Sequence, residues 1–204
     1  MDLPDIFHND KLALLVIDKQ AAYFDERLVE QRGHHLPTNS ADILENIDNL
    51  VVFMRNKQVP IIWTQMVEDS ELSPPNIALK MKRDNYTSIS NPDNAAYEII
   101  GSTKPDQDES VFQKIFYDAF SIKELGKYMQ NKGVKTVIIV GGYASRCVLA
   151  TAVGANNLGL NVVIPRDGVV NQEESIHELD AMFSIVDAIL GYVTDTTNIK
   201  TRLV

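Results

Sequence analysis

Leu12-Ala13-Leu14-Leu15-Val16-Ile17, closed by Asp18, decides the fold. All six residues are apolar, and none is left to face water. A strand of this kind is buried on both sides, and such strands belong to parallel sheets covered by helices. The pattern returns at Val134–Val140, followed by Gly141-Gly142, and in shorter form at Val59–Thr64 and Asn161–Ile164. Between strands the period changes. Ile43, Leu44, Ile47, Leu50, Val51 and Met54 recur at helical spacing within Ser40–Lys57, with Ser40 as the predicted cap. Ser145–Leu158 reads as a helix of small and apolar residues stopped by Gly159, Glu173–Val186 as another, and Ala188–Thr194 as a last strand. This alternation predicts an α/β fold, a three-layer, doubly wound, mostly parallel sheet of about six strands.

A chain of 204 residues is expected to form a single domain, 1–204. Residues Gln65–Glu109 break the rhythm with Pro74, Pro75, Pro92 and Pro105 and little periodicity, so they are expected to form a lid or binding segment. With 45% hydrophobic and 23% charged residues, disorder, collagen and coiled coil are excluded as whole-chain answers. The net charge of −9 leaves no basic footprint for nucleic acid or for an anionic membrane, so neither is expected as a partner. The longest apolar run is the six residues Leu12–Ile17, against the roughly 20 that a membrane helix needs. A single cysteine forms no internal disulfide, and the opening Met1-Asp2-Leu3-Pro4-Asp5 is acidic where an export signal is basic. A cytoplasmic location is expected. In that setting the glycosylation sequon Asn85-Tyr86-Thr87 is a chance match.

In parallel α/β sheets, ligands bind beyond the carboxyl ends of the strands. Three reactive residues fall there: Asp18 after the first strand, Lys114 ending Ser110-Val111-Phe112-Gln113, and Cys147 just past Gly141-Gly142-Tyr143-Ala144-Ser145. A helix N-terminus and a nearby ammonium make a thiol more acidic than a free cysteine at about 8.5, and a carboxylate in reach can take its proton. Taken singly, the residues leave plainer readings open. Cys147 reads equally as a small buried hydrophobe, Asp18 as a turn residue and Lys114 as a solvated charge.

Together they match a pattern. Leu14-Leu15-Val16-Ile17-Asp18-Lys19-Gln20, with Tyr23-Phe24 soon after, resembles the opening of the isochorismatase-like cysteine hydrolases. Val111-Phe112-Gln113-Lys114, followed by Asp118-Ala119-Phe120, is similar to that family's lysine strand. Gly141-Gly142-Tyr143-Ala144-Ser145-Arg146-Cys147-Val148, with Thr151-Ala152 and Ala155, is similar to its nucleophile motif. Asp167 fits the end of the next strand, and the resemblance runs from about Leu12 to Val170.

The resemblance implies strand order 3-2-1-4-5-6 and a catalytic triad of Asp18, Lys114 and Cys147. It also implies a cis peptide bond at Gly142–Tyr143 and an oxyanion hole formed by the Tyr143 and Cys147 amides. Gln20, Phe24, Trp63 and Arg146 are the substrate-binding candidates, Arg146 as a grip on a carboxylate or carbonyl; a surface arginine paired with an acid is its other reading. Nicotinamidases of this family hold a metal on an Asp and several His after the second strand. Trp63-Thr64-Gln65-Met66-Val67-Glu68 offers no such set, and His8, His34, His35 and His177 lie elsewhere. No metal or other cofactor is expected, and nicotinamidase activity is disfavoured. The adjacent His34-His35 pair could bind a metal, but two histidines in a polar loop read more readily as solvated.

The implied activity is hydrolysis of a C–N bond in a small amide, ureido or carbamoyl compound through a Cys147 thioester. The alternatives are vinyl ether hydrolysis of the isochorismatase type, which needs no thiol, and a non-catalytic binding module of the same fold. The resemblance further implies a homo-oligomer, a dimer or tetramer. Met182, Phe183, Ile185 and Ile189 offer apolar surface beyond what one sheet face needs.

Overall fold

The computed structural model describes residues 11–69, 71–83 and 90–203. The first strand, β1 (Leu12–Ile17), lies near the middle of the sheet with all six side chains buried. The chain continues through α1 (Ala21–Phe24), α2 (Glu26–Glu30), α3 (Ser40–Asn56), β2 (Ile61–Met66), α4 (Pro75–Arg83) and β3 (Ser110–Lys114). It then forms α5 (Lys123–Lys132), β4 (Thr136–Gly142), α6 (Leu149–Asn157), β5 (Asn161–Pro165), β6 (Val169–Val170), α7 (Glu178–Ile185), β7 (Tyr192–Thr194) and α8 (Thr196–Arg202).

Among the described residues the named strands all pair in parallel, in the order β3-β2-β1-β4-β5-β7. The order expected from the sequence holds, with one addition. β6 is a two-residue strand beside the end of β4, so the outer place falls to the seventh strand.

The sheet divides the core into two layers, as strands apolar on both faces require. On one face α3 lays Ile43, Ile47, Leu50, Val51 and Met54 over Leu14, Val16, Ile138 and Val140. On the other, Leu125, Met129, Ala152, Ala155 and Phe183 cover Leu15, Ile17, Val137, Ile139 and Val162. Burying one such side chain contributes about 1.5–3 kcal/mol. At the carboxyl edge β1 and β4 approach closely: Gly141 has φ +117°, and a Cβ there would lie 1.9 Å from the Ile17 carbonyl oxygen. Glycine is required by both the angle and the space.

Several boundaries differ from expectation. α3 does begin at Ser40, but Asn39 occupies the cap position and makes no side-chain cap bond. The predicted helix Ser145–Leu158 opens as a π turn, Ala144–Val148, before α6. Ala188–Thr194 is half strand: Val186–Leu190 is another π turn, and only Tyr192–Thr194 pairs. Within 65–109 the structure has a helix, α4, which starts on Pro75 where proline suits the first turn and buries none of its side chains. Met182 and Phe183 go into the core, while Ile185 and Ile189 are exposed. His8 and Asn85-Tyr86-Thr87 lie outside the described residues. Among the described residues no helix is long and apolar enough to cross a membrane.

Candidate active site

Parallel register brings the strand ends to one edge. Met66 pairs with Lys114 across β2 and β3, and Ile17 with Gly141 across β1 and β4. Asp18 therefore follows β1 directly into the space between β2 and β4. Its φ of +47° is unusual for a residue with a side chain, although aspartate tolerates this region better than most. Strain of this kind collects at functional sites. Thr64 holds the turn: its carbonyl accepts the Asp18 amide at 3.2 Å, and its hydroxyl donates to Asp18 Oδ1 at 2.8 Å.

Asp18, Lys114 and Cys147 meet. Lys114 Nζ lies 2.7 Å from Asp18 Oδ2, an ion pair rather than a well-aligned hydrogen bond, and 3.3 Å from Cys147 Sγ. The same ammonium donates to the Phe116 carbonyl at 3.1 Å, and Met66 Sδ lies 3.5 Å away. All three side chains are buried: Asp18 is 0%, Lys114 2% and Cys147 7% exposed. Burial works against the ammonium, but Asp18 and Cys147 outweigh it and raise the Lys114 pKa, so the lysine stays charged.

The thiol behaves opposite to the sequence-based expectation. Burial pushes Cys147 up to about 12, Lys114 pulls it down, and Asp18 adds to the rise as a charge and as a hydrogen-bond partner. The expected acidic thiol is thus a neutral one at rest, because desolvation outweighs the neighbouring ammonium. It sits in the π turn whose Val148 amide reaches back to the Tyr143 carbonyl at 3.2 Å. The bond Gly142–Tyr143 is cis. A groove of about 500 Å³, lined by residues including Asp69, Asn91, Gln113 and Phe116, reaches Lys114 from the β3 edge.

The four substrate-binding candidates separate. Gln20 is fully buried and its amide is engaged throughout: Nε2 donates to Ser90 Oγ, Met66 O and Tyr97 O, and Oε1 accepts from the Met66 amide at 2.7 Å. It fastens the irregular segment to the strand ends and has nothing left for a substrate. Trp63 is likewise core, 0% exposed, with its indole donating to Glu109 Oε2 at 2.7 Å and Lys19 5.5 Å over the ring. Phe24 is buried against Gly142, where a Cβ would come 3.3 Å from its Cε2. Arg146 alone is exposed, its guanidinium 5.4 Å over the Tyr143 ring and bonded to Gln172 Oε1 at 2.7 Å.

After β2, Glu68 accepts from the Tyr23 hydroxyl at 2.8 Å and lies 3.9 Å from Arg32. Those side chains do not form a metal cradle, and among the described residues no three His, Cys, Asp or Glu side chains converge on one. His34 and His35 instead flank the exposed Glu174, with His35 Nδ1 2.7 Å from it.

Three contributors escaped the sequence reading. Thr64 and the Phe116 carbonyl carry no motif signal. Tyr117, three residues after Lys114, has its hydroxyl pushed up chiefly by burial, with smaller opposing effects from the ionisable groups around it.

Comparison with known proteins places the chain. The isochorismatase domain family model matches residues 12–198. This protein belongs to the isochorismatase family, whose members are hydrolases. It is 24% identical over 181 residues to the Bacillus subtilis isochorismatase family protein YrdC, covering 86% of this chain and 85% of that one. It is 27% identical over 176 residues to Nicotinamidase 3 of Arabidopsis thaliana, covering 85% and 81%. The crystal structure of a cysteine hydrolase from Pseudomonas syringae pv. phaseolicola 1448A superposes with a TM-score of 0.80 at 18% identity, covering 95% of this chain and 92% of that one. That likeness establishes the shared fold.

Proposed function

We propose that the protein is a cysteine hydrolase that cleaves a C–N bond in a small amide, ureido or carbamoyl compound. The observation that carries this reading is the Lys114 ammonium standing between Asp18 Oδ2 and Cys147 Sγ. A thiol held neutral needs a base at the moment of attack, and Asp18 is that base. Asp18 takes the thiol proton, and Cys147 Sγ forms a bond to the substrate carbonyl carbon. The Tyr143 and Cys147 amides receive the developing oxyanion, a contribution of about 10²–10³ in rate for each donor. The C–N bond then breaks, the nitrogen takes the proton from Asp18, and ammonia or an amine departs. Water gives a proton to Asp18 as its oxygen bonds to the thioester carbon; the C–S bond then breaks, the proton passes from Asp18 to sulfur, and the acid leaves. Lys114 remains charged throughout and keeps the site neutral overall when Asp18 is ionised.

Similarity to Nicotinamidase 3 supports amide chemistry. Ammonia release should be measured across a panel of small amides and ureido acids beside isochorismate. Turnover of an amide that vanishes in Cys147→Ala supports the reading. Turnover of isochorismate alone, surviving Cys147→Ala, overturns it in favour of vinyl ether cleavage.

A further inference from the structure

We infer that Arg146, laid on the Tyr143 ring and held by Gln172, recognises a carboxylate, so that the substrate is an amide, ureido or carbamoyl compound bearing an acid group. The inference rests on the hydrolase reading and names its substrate class.

Among the described residues the other cations around the thiol have carboxylate partners, and Arg146 does not. Lys114 is matched by Asp18 at 2.7 Å, and Arg32 by Glu68 at 3.9 Å. Acidic residues in the adjoining segment are also engaged: Glu174 with His35 at 2.7 Å, and Glu178 with the Ser145 hydroxyl. Among the described residues Arg146 has no carboxylate partner, and its side-chain bond goes to the neutral Gln172 Oε1 at 2.7 Å. It is therefore an exposed cation without an acid partner among the described residues, one residue before the cysteine.

Its setting is also rigid. Gln172 is 2% and Tyr143 4% exposed. The Tyr143 ring is fixed edge-on to Tyr23 at 5.4 Å, and its hydroxyl accepts from Arg32 Nη2 at 3.4 Å. A guanidinium stacked on a fixed ring with one edge bonded to Gln172 presents its other N–H groups to solvent. That planar donor fork suits a carboxylate, and little side-chain entropy remains to be lost on binding. Arg146 and Cys147 are neighbours in the π turn Ala144–Val148, and the guanidinium lies over the ring of Tyr143, the residue that opens that turn. The same cation, with Arg32, adds to the burial that depresses His34, against the pull of Glu174.

Cys147 is the sole cysteine, so two alkylating agents test the charge preference without any knowledge of the substrate. The ratio of iodoacetate to iodoacetamide rates at Cys147, followed by mass spectrometry, is compared with the ratio for glutathione. The expected ratio exceeds that of glutathione by about tenfold, the low end for a charge-assisted hydrogen bond. Arg146→Gln should bring it back to the glutathione value, and Arg146→Lys should keep part of it. A ratio equal to glutathione's, or one unmoved by Arg146→Gln, overturns the inference. In parallel, N-carbamoyl-β-alanine is compared with butylurea for ammonia release. A kcat/KM preference for the acid that collapses in Arg146→Gln supports the inference; equal or better use of butylurea overturns it. If neither compound nor the wider panel is hydrolysed while the alkylation ratio behaves as expected, the hydrolase reading falls and the carboxylate site stands.

Discussion

Thr64 grips Asp18 at backbone and side chain: its carbonyl and hydroxyl oxygens share the Asp18 amide, and its hydroxyl donates to Asp18 Oδ1. The first contact extends the sheet by one bond past β1. The second fixes the carboxylate so that Oδ2 is the oxygen facing Lys114. A neighbouring strand thus sets both the backbone and the rotamer of the proposed base, at a residue that by itself would not favour φ +47°.

Thr64→Val keeps the shape of the side chain and removes the donor. Hydrolysis should fall about 10- to 100-fold, the range for a hydrogen bond to a charged group of about 1.5–3 kcal/mol. The loss should appear mainly in kcat, since Thr64 bears on the base and not on the substrate. Thr64→Ser should recover most of the rate. Steady-state kinetics of the three proteins decide it, and an unchanged Thr64→Val rate would remove Thr64 from the mechanism.

Lys114→Met should inactivate the protein and also destabilise it. The substitution leaves Asp18 buried without its partner, a change that typically costs about 3–5 kcal/mol. Adding Asp18→Asn removes the orphaned charge. The double variant should therefore resist urea better than Lys114→Met alone while remaining inactive. Urea midpoints for the two singles and the double make the cycle, and simple additivity would mean that the pair is not coupled.

The elements that the sequence revealed are those whose environment is uniform. β1 and β4 are buried at every position, so an unbroken apolar run was enough to find them. The Asp18, Lys114 and Cys147 positions were legible because strand ends and motif spacing mark them. What stayed hidden depended on neighbours distant in the chain. α4 buries none of its side chains, so no core-facing stripe marked it out from the proline-bearing stretch around it. Gln20 and Trp63 look like site residues by position, yet Tyr97, Ser90 and Glu109, 77, 70 and 46 residues further on, claim their polar atoms. The Cys147 thiol was misjudged for the same reason: a helix turn and a lysine are visible in sequence, whereas the depth of burial that outweighs them is not.

The neutral thiol gives a prediction with two opposite signs. Burial and then Asp18 raise the Cys147 pKa, so Asp18→Asn should lower it. At pH 9 iodoacetamide should modify Cys147 faster in Asp18→Asn than in the natural chain, although hydrolysis is abolished. In the natural protein the alkylation rate should still be climbing at pH 10, with no plateau near the pKa of about 8.5 expected of a free thiol. Rates followed by mass spectrometry across pH 7 to 10.5 test both statements. A plateau near pH 8.5 in the natural chain would refute the buried, protonated resting state.

The residue after the proposed base anchors the turn to α3, and its partner sets the acid limit of stability. Lys19 is 0% and Asp48 5% exposed. Lys19 Nζ bonds to Asp48 Oδ1 and lies 3.0 Å from both the carbonyl and the hydroxyl of Thr103. Asp48 Oδ2 accepts the Ser102 amide at 2.7 Å and its hydroxyl at 3.0 Å, and Oδ1 accepts the amide and hydroxyl of Thr103. Gly101, at φ +91°, lets the loop come this close: a Cβ there would lie 2.6 Å from Asp48 Oδ2. Burial alone would raise the Asp48 pKa, but the bonds from Lys19, Thr103 and Ser102 outweigh it and hold the carboxyl below its ordinary range. A carboxylate depressed in the folded state stabilises the protein above its unfolded pKa of about 3.9, and that stabilisation is lost as pH falls through the folded value. Asp48→Asn should therefore cost about 3–5 kcal/mol at pH 7, because it strands a buried ammonium. The gap between natural chain and variant should narrow below about pH 4. Lys19→Met should cost less than Asp48→Asn, since Asp48 keeps its four donors from Ser102 and Thr103. Urea midpoints at pH 7, 5, 4 and 3 measure these gaps, and a gap that stayed constant across the series would show that Asp48 does not titrate with unfolding.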